Sequence, residues 1–505
     1  MASPVVGPPL THSEVKAQVE AASPALLLEV DQGLPGSSGP GKGRILVARR
    51  SIGVGEVLLA EWPIFQGTPS ASQSRKAFEA GFVALADNFE DFTDLDEDCL
   101  HPCSALCDCV AGIMLAKQQA LAQGVRSDSG GCGGVEAEER RERSRLRLLQ
   151  LGALCRSATE SPPSDCAQSL LGVLRPGLRE LTSEDELNDF LHVLSSNRFG
   201  SAGSQLDVMF AGSMFEHSCD PSCFVAGAWS AIAAEGPREY RALRDIAVGE
   251  ALSVDYMMLP GSYLGFSGRK ETLTGWGFAC SCPRCTERPE LTRAFVCPAC
   301  ELHELCPTRP VPSGEAVELL CRACGKLAEA DYSASCLSAE TVVAQVFGGG
   351  AEDEVEKARQ ELFRLEKCLG RFHFANFDLA WASWLQGPDF EAENSAEELE
   401  DYTAATDRVI ECIVRWSGSE LHPQLLPVYH SRALLAHGDL DGQRCFLDLE
   451  RAVLKKYFPE ESNRQDAEIL HMVQRIGPPG AAPTAGEEAS DPVGAAGAWT
   501  LSDMD

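Results

Sequence analysis

The stretch MFEHSCDPSCF, Met214–Phe224, decides how the rest of the chain is interpreted. It places His217 two residues before Cys219, and an Asp-Pro turn follows that cysteine at once. Cys219 could serve as a core residue, as a nucleophile or as a metal ligand. The choice among these roles depends on where the other cysteines of the chain lie.

The motif CSCPRC brings three thiols together within six residues, at Cys280, Cys282 and Cys285. Three such thiols can converge on one cation, and a structural zinc ion requires four ligands in a tetrahedron. One ligand would therefore have to come from elsewhere in the chain. The alternative is that the three thiols are merely buried or are redox-active.

Two further motifs, CPAC and CRAC, contain Cys297 with Cys300 and Cys321 with Cys324. Paired CxxC motifs with 20 residues between them match the spacing of a zinc ribbon. Gly325 follows the second motif and suits the turn of a zinc knuckle. These four cysteines predict a second zinc site.

Composition is typical of a globular protein of the cell interior. The 505 residues predict about two to four domains, and the 44% hydrophobic and 23% charged fractions are ordinary for a soluble protein. We find neither a secretory signal nor an apolar run of membrane-spanning length, so no membrane association is expected. The expected location is the cytoplasm, the nucleus or both, where thiols stay reduced. In that setting the 21 cysteines indicate metal sites more than disulfides.

The chain is strongly acidic, with 75 acidic and 43 basic residues and a formal net charge of −32. Such an excess argues against direct binding of nucleic acid over a broad surface. It would attract a basic partner, such as a protein tail rich in lysine and arginine. The alternative is that the charge only keeps the protein in solution.

Local patterns predict an α+β chain in which short strands flank a long helical insertion. RILVARRSIGVGEVLLAEWPIF, residues 44–65, is typical of two strands in a hairpin, with a turn at Gly53–Gly55. EYRALRDIAVGEALSVDYMML, residues 239–259, has the same order of strand, turn and strand. The two segments are similar, either as a weak internal repeat or as two ordinary hairpins.

Helical patterns dominate two other regions. Residues 67–190 are predicted to be mainly helical. An apolar face at helical spacing, which includes Val355, Ala358 and Leu362, predicts an antiparallel array of helices over residues 337–476. The end of the chain is of low complexity and is expected to be disordered.

Taken together, these motifs resemble those of SET-domain protein lysine methyltransferases, and more specifically the SET and MYND domain family. The segments that carry the resemblance are GKGRILVARRSIGVGEVLLAE (residues 41–61), HSCDP (217–221), RALRDIAVGEALSVDY (241–256), WGFACSCPRC (276–285) and, more loosely, ELHPQLLPVYHSRALLAHGD (420–439). Each motif alone is weak, but their combination and order are highly specific.

The resemblance implies a SET-type β-clip core of short strands that is split by the helical insertion. Cysteine-rich zinc modules and a helical, TPR-like C-terminal domain would follow. The expected divisions are a flexible segment (1–40), two SET parts (41–66 and 191–278) around the insertion (67–190), a post-SET zinc motif (279–286), a zinc-ribbon-like module (287–336), the helical domain (337–476) and a disordered tail (477–505).

The resemblance also implies where the fourth ligand of the first zinc ion comes from. In that family the cysteine of the His-Ser-Cys segment joins the post-SET cysteines on one zinc ion. Cys219, Cys280, Cys282 and Cys285 would then form one site, which would hold the post-SET loop over the cofactor. With the ribbon cysteines, two Zn²⁺ sites are expected.

S-adenosyl-L-methionine is the cofactor that the resemblance implies, and Tyr256 is the implied catalytic residue. A tyrosine hydroxyl at the end of an apolar channel can orient a lysine amine toward a methyl group. The residues expected at the cofactor are Gly43, Arg44, Asn197, Glu216, His217, Tyr256 and Phe278.

Three positions depart from the family pattern. Ile45 stands where the first segment usually has a second glycine, Glu216 replaces the asparagine before the histidine, and Trp276 replaces a tyrosine before Gly-Phe. A carboxylate cannot donate the hydrogen bonds of an asparagine amide, and an indole has no hydroxyl.

The MYND zinc finger is also absent from the expected organisation, because the insertion contains no CxxC pair. Its cysteines are Cys99, Cys103, Cys107, Cys109, Cys132, Cys155 and Cys166. We therefore expect helices there, and no zinc finger.

The predicted function is that of a protein lysine N-methyltransferase acting on a histone or another protein, with a peptide or protein partner on the C-terminal helices. The alternative is a catalytically inactive, SET-derived scaffold that binds zinc and partners, in which Ile45 and Glu216 abolish cofactor binding. A zinc-dependent hydrolase or redox protein would need an open metal position or an exposed thiolate pair.

Overall fold

The computed structural model of the protein describes residues 10–30, 44–67, 105–121, 133–154, 171, 174, 176–201, 205–226, 237–276, 278–312, 315–347, 368–387, 395–436 and 439–458. Short strands and helices alternate through these residues, which confirms the predicted α+β class.

The helices are α1 (His12–Ala22), α2 (Ala105–Leu121), α3 (Gly133–Gly152), α4 (Pro176–Arg179), α5 (Glu184–Asn197), α6 (Met258–Gly261), α7 (Phe266–Gly275), α8 (Pro283–Thr286), α9 (Ala330–Phe347), α10 (Phe374–Gln386), α11 (Ala396–Ser417), α12 (Leu426–Leu435) and α13 (Leu440–Tyr457). Two short 3₁₀ helices are Gly212–Met214 and Pro423–Leu425. The strands are β1 (Leu26–Val30), β2 (Arg44–Ala48), β3 (Val57–Glu61), β4 (Phe65–Gly67), β5 (Arg198–Ser201), β6 (Gln205–Val208), β7 (Glu216–His217), β8 (Cys223–Ala226), β9 (Arg238–Ala242), β10 (Ser253–Val254), β11 (Leu305–Pro307) and β12 (Leu319–Cys321).

The two predicted hairpins are wrong in their pairing, although all four strands exist. β2 pairs antiparallel with β1, and β3 pairs antiparallel with β9, which also pairs with β8. β10 lies parallel to β7. The reason is that strand and turn signals are local, whereas the choice of partner is made by packing between distant parts of the chain.

The two similar segments, residues 44–65 and 239–259, pair with each other, and a pseudo-two-fold axis relates them. The N–H of Ala48 donates to Glu250 O at 2.9 Å, and the equivalent N–H of Ala242 donates to Glu56 O at 3.0 Å. At the centre Ile52 and Ile246 exchange two backbone hydrogen bonds of 2.9 and 3.0 Å. The sequence similarity is therefore an internal repeat with a structural role.

The side chains of the turns follow the same relation. Arg50 pairs with Glu56 in one turn, and Arg244 pairs with Glu250 in the other. Each glutamate also accepts a backbone N–H within its own turn. Exposed pairs of this kind contribute little energy, so their main effect is to fix the shape of the turn.

The N-terminal segment is not wholly flexible, which corrects the expectation for residues 1–40. Helix α1 begins with a capping box between Thr11 and Glu14, and strand β1 adds an edge to β2. The side chains of Leu26 and Leu28 are fully buried in the main core. Burial of this apolar surface stabilises the ordered helix and strand, although the sequence that follows is of low complexity. Residues 1–9 and 31–43 lie outside the described part.

The described part of the insertion is helical, as expected. Helices α2, α3, α4 and α5 pack on the strands, and their apolar residues belong to the same core as β2 and β6. Cys109 is buried in that core. The other insertion cysteines contribute no described side chain, so the absence of a zinc finger stays a prediction.

Helices α10–α13 form a second core, and this core includes residues of the strand region. The ring of Phe224 in β8 meets Tyr457 edge-on at 5.3 Å, and Arg241 lies 5.6 Å over Phe458. The hydroxyl of Tyr457 donates to Leu243 O at 3.4 Å. The end of α13 is therefore anchored on the β core.

The boundary expected at residue 337 lies inside α9, which begins at Ala330. Most of the apolar face expected at residues 355–369, and all of the tail after residue 476, fall outside the described part. Among the described helices none has the length and apolar character that crossing a bilayer requires.

Two equivalent glycines offer a test of the contact between α13 and the β core. Gly55 and Gly249 have φ of +79° and +80°, where an alanine costs about 1–2 kcal/mol. A Cβ at Gly249 meets nothing, whereas a Cβ at Gly55 would overlap the carbonyl oxygen of Lys456. We expect Gly249→Ala to lower the thermal midpoint by about 2–4 °C and Gly55→Ala to lower it clearly further. Equal shifts in circular-dichroism melts would show that α13 does not press on this turn.

Candidate functional site

The first cysteine cluster brings together the four residues that the resemblance implied. The sulfur atoms of Cys219, Cys280, Cys282 and Cys285 all lie within 4.8 Å of one another. Cys219 Sγ is 3.5 Å from Cys285 Sγ and 4.0 Å from Cys280 Sγ. A tetrahedral zinc ion with Zn–S bonds of ~2.3 Å requires sulfur separations of about 3.8 Å. The four residues therefore fit a closed structural zinc site.

The crowded thiols of this cluster exchange hydrogen bonds that make ionisation easier for some of them. A hydrogen bond with Cys219 holds the pKa of the Cys280 thiol well below its ordinary value. Cys219 likewise lowers the pKa of Cys282, to about 6. The same crowding raises the pKa of Cys219, through hydrogen bonds with Cys280, Cys282 and Cys285, and it raises the pKa of Cys285, where only Cys219 among the thiols opposes the rise. The thiolate is the form that ligates a metal, so this environment prepares Cys280 and Cys282 for that role.

Two buried arginines lie beneath the first cluster, and no sequence pattern indicated them. Arg269 Nη2 is 3.8 Å from Cys285 Sγ and 2.7 Å from a carboxylate oxygen of Glu290. Arg284 donates to Cys219 O at 3.2 Å. Burial opposes ionisation of Glu290, but Arg269 and Arg284 lower its pKa to about 2. Arg269, Arg284 and Glu290 together carry a net positive charge. This charge lies beside the thiolates and stabilises their negative charge.

The second cluster also has the expected ligands. Cys297 and Cys324 have their sulfur atoms 3.7 Å apart, and so do Cys300 and Cys321. All four sulfur atoms lie within 4.8 Å of one another. This arrangement fits a zinc ribbon, with Cys324 exposed to solvent.

The two CxxC turns of this ribbon have the same backbone geometry. Cys297 N–H donates to Leu302 O at 2.8 Å, and Cys321 N–H donates to Lys326 O at 2.9 Å. Gly325 has φ of +72°, as expected for a knuckle turn. Glu301 takes the equivalent position with φ of +60°, which is unusual for a residue with a side chain.

Aromatic rings converge on Tyr256, which lies two residues after the end of β10. Its ring stacks on Trp276 with centroids 5.3 Å apart, and it meets Phe278 edge-on at 6.1 Å. The ring of His217 lies 5.3 Å from Tyr256 and 5.8 Å from Phe278. We call these four residues, His217, Tyr256, Trp276 and Phe278, the aromatic site.

The hydroxyl and the backbone of Tyr256 are both held by hydrogen bonds. The hydroxyl donates to Phe215 O, and the backbone N–H donates to His217 Nδ1 at 3.1 Å. Tyr256 is partly buried, whereas Trp276 is 43% exposed. The Trp276 indole is thus the member of the aromatic site that solvent reaches most easily.

The ring of His217 is buried between Tyr256 and the first cysteine cluster. Its Nε2 lies 3.2 Å from Cys219 Sγ. Since Nδ1 accepts from Tyr256, both ring nitrogens face protein groups. A contact between the cofactor and His217, as predicted, would therefore have to use the ring edge or the backbone.

The other predicted cofactor residues differ in their hydrogen-bond partners. Gly43 lies outside the described part, and a guanidinium nitrogen of Arg44 donates to Ala153 O at the end of α3. The side-chain amide of Asn197 donates to Val193 O at 2.8 Å, within its own helix. Glu216 is buried in β7, directly before His217. Glu216, His217, Tyr256 and Phe278 are therefore close in the fold, whereas the side chains of Arg44 and Asn197 bind backbone carbonyls.

Two residues beside the site were not identified from the sequence. Glu61 accepts backbone N–H groups from Phe210, Ala211 and Gly212 at 2.8–3.1 Å, which fixes the turn before β7. Burial raises the pKa of Glu61, although these hydrogen bonds oppose the rise. Tyr240 is fully buried and stacks on Phe215 at 4.5 Å.

Only weak sequence signals pointed to these two residues. Tyr240 lies in the same strand-and-turn motif as Tyr256, but alternation alone does not tell a site residue from a core residue. Glu61 ends an apolar strand, and nothing local indicates that its partners are about 150 residues away.

Comparison with known proteins covers part of this site. The family model for the SET domain matches residues 43–257, which include His217 and Tyr256 but not Trp276 or Phe278. No curated protein matches the chain.

Among solved structures, the chain is similar to the SET domain of LSMT in a crystal structure with bound lysine and AdoHcy. The identity is 12%, the alignment covers 92% of this chain and 100% of the other, and the TM-score is 0.30. A TM-score of that size carries no argument, so the assignment rests on the family model. Membership of the SET and MYND domain family stays a prediction.

Metal analysis tests both clusters. We expect two zinc ions per chain, and one after either Cys282→Ser or Cys324→Ser. Cys306→Ser is the matched control, because Cys306 is buried beside the ribbon and its sulfur accepts from Arg415 at 3.4 Å. A strong chelator should empty the ribbon first, since Cys324 is exposed. Two zinc ions in either ligand variant, measured by plasma mass spectrometry, would contradict the assignment.

Proposed function

We propose that the chain is an S-adenosyl-L-methionine-dependent protein lysine N-methyltransferase. The observation that carries this proposal is the placement of Tyr256 within a SET domain, with its hydroxyl fixed by a backbone carbonyl and its ring enclosed by other aromatic groups. S-adenosyl-L-methionine, when bound, supplies a methyl group on a positively charged sulfur.

The proposed chemistry requires a neutral lysine amine. A free lysine has a pKa near ~10.4, so it is mostly protonated at neutral pH. An apolar, aromatic surrounding disfavours the charged form and lowers that pKa. The rings of Tyr256, Trp276 and Phe278 supply such a surrounding.

Tyr256 would orient the amine through its oxygen. Its O–H donates to Phe215 O, so the phenol oxygen would act toward the amine as an acceptor. An amine N–H donated to this oxygen would leave the nitrogen lone pair directed at the methyl group, and such positioning contributes much of the rate. Trp276, which is 43% exposed, would meet the lysine first and pack along its alkyl chain.

The remaining site residues fit a cofactor in part. Phe278 is the member of the aromatic site that also packs against the first cysteine cluster, and its ring could pack on an adenine there. Glu216 brings a buried carboxyl group, which as an anion accepts hydrogen bonds from amino groups and donates none. The two four-cysteine clusters would hold zinc ions, and the first would fix the backbone around Phe278.

The second candidate is a SET-derived scaffold without activity. Its support is that Ile45 is fully buried, that Glu216 replaces an amide donor, and that Arg44 and Asn197 bind backbone carbonyls. In this case the chain would bind zinc and partners but no cofactor.

Partners and location follow from the same proposal. The substrate would be a lysine on a histone or another basic protein, and the net charge of −32 would favour that encounter. The C-terminal helices would hold a peptide or protein partner. The proposed location is the cytoplasm, the nucleus or both.

Calorimetric titration of the zinc-loaded protein with S-adenosyl-L-methionine separates the two candidates. Saturable one-to-one binding supports the enzyme, whereas no binding at millimolar cofactor by a folded protein with both zinc ions supports the scaffold. Labelled methyl transfer to basic proteins is the second measurement.

Replacing the tyrosine tests its role in the transfer step. Tyr256→Phe should reduce transfer about 100-fold or more while cofactor binding is retained, because the oxygen that orients the amine is lost. Tyr263→Phe is the matched control, since the Tyr263 hydroxyl also donates to a backbone carbonyl, Phe372 O at 3.4 Å, but lies outside the aromatic site. Equal losses in both variants would refute a catalytic role for Tyr256.

A further inference from the structure

His217 contacts both Tyr256, in the aromatic site, and Cys219, in the first cysteine cluster. On one side its Nδ1 lies 3.1 Å from the backbone nitrogen of Tyr256. On the other side its Nε2 lies 3.2 Å from Cys219 Sγ, in the first cysteine cluster. The ring is 2% exposed, so water does not compete for these bonds.

The hydrogen bonds determine which nitrogen carries the proton. The backbone N–H of Tyr256 can only donate, so Nδ1 must accept and carries no hydrogen. The ring hydrogen is then on Nε2, from which it points to Cys219 Sγ. Two other titratable groups lie near the ring: the Cys280 thiol, which also has a hydrogen bond with His217, and Asp255, whose Oδ1 lies 3.7 Å from Nδ1, beyond hydrogen-bond distance.

We infer that His217 is a positioning residue that couples the first cysteine cluster to Tyr256. The Nε2–H group donates to the thiolate of Cys219, and Nδ1 holds the backbone of Tyr256. A zinc ion bound by the cluster would hold Cys219 in place. The hydrogen bonds of the imidazole would then transmit the position of Cys219 to the backbone of Tyr256. The ribbon cluster has no such link to the aromatic site among the described residues.

The coupling itself rests on geometry alone, whereas its effect on methyl transfer rests on the proposed function. If Tyr256 orients the amine, loss of zinc from the first cluster would reduce transfer by moving the tyrosine. The experiment therefore observes Tyr256 and the cysteines directly and requires neither cofactor nor substrate.

Two substitutions of His217 each retain one of its two hydrogen bonds and remove the other. In His217→Asn the side-chain oxygen occupies roughly the place of Nδ1, so the bond from Tyr256 can form, but the side chain is too short to reach Cys219. In His217→Gln the terminal amide lies near the place of Nε2, so the bond to Cys219 can form and the bond from Tyr256 is lost. His303→Asn is the matched control, because His303 Nδ1 also accepts a backbone N–H, from Arg371 at 3.1 Å.

The first readout is the protection of each cysteine against alkylation, resolved by mass spectrometry of the zinc-loaded protein. We expect Cys280, Cys282 and Cys285 to react about 10-fold faster in His217→Asn, as is typical when a group that supports a metal ligand is lost. His217→Gln should stay close to the natural protein, and His303→Asn should leave this cluster unchanged.

The second readout is the backbone amide resonance of Tyr256 in protein labelled with ¹⁵N-tyrosine, where the chain offers only seven tyrosines. Removal of one ligand by Cys285→Ser should shift this resonance, whereas Cys324→Ser in the ribbon should not. Combined with His217→Asn, the Cys285→Ser change should shift it much less, with the remaining shift transmitted through Phe278, whose ring contacts Tyr256.

The inference is overturned if Cys285→Ser moves the Tyr256 resonance as much in the His217→Asn background as in the natural protein. It is also overturned if alkylation of the first cluster is equally slow in all variants. Because both readouts are independent of transfer activity, either result would leave the proposed function to be judged by cofactor binding and labelling.

Discussion

The backbone pairing between the segment that begins at Arg44 and the segment that ends at Tyr256 is the constraint on which the rest of the structure depends. Ala48 with Glu250, and Ala242 with Glu56, close the same hydrogen-bond pattern twice, with Ile52 and Ile246 between them. Strand β10, which follows the second paired turn, lies alongside β7, and Tyr256 comes two residues after the end of β10. The aromatic site therefore inherits its position from an interaction between two distant parts of the chain.

The two cysteine clusters stabilise different parts of the structure around these paired segments. The first is buried except for the partly exposed Cys280, contacts Arg269 and Arg284, and includes Cys219, which lies two residues after His217. A negatively charged metal–thiolate group in a buried place needs nearby positive charge, and the two arginines supply it. The ribbon cluster has an exposed ligand in Cys324 and packs beside α9. It therefore stabilises the contact between the ribbon and the C-terminal helices.

Much of the candidate site was predictable because its signals are local. The CxxC motifs, the His-Ser-Cys stretch and the strand before Tyr256 each carry their meaning within a few residues. The partners of β2 and β3 were not predictable, because strand patterns specify which face is buried but not which strand lies alongside. Arg269 in α7 looks like a surface residue in the sequence, and only the fold brings it to Glu290. Likewise, Leu26 and Leu28 follow a segment of ordinary composition, and their burial depends on the edge that β2 offers.

The distance along the chain between the paired segments has a consequence for protein synthesis. Strand β3 leaves the ribosome well before its partner β9, since residues 62–237 must be made in between. At about 5–20 residues per second, that interval is roughly ten seconds or more. During this time the apolar residues of β3 have no partner strand to cover them, and neighbouring nascent chains could pair with the edges of β3. Chaperone protection of the nascent chain would therefore matter most in the interval before Ile246 and Leu252 emerge.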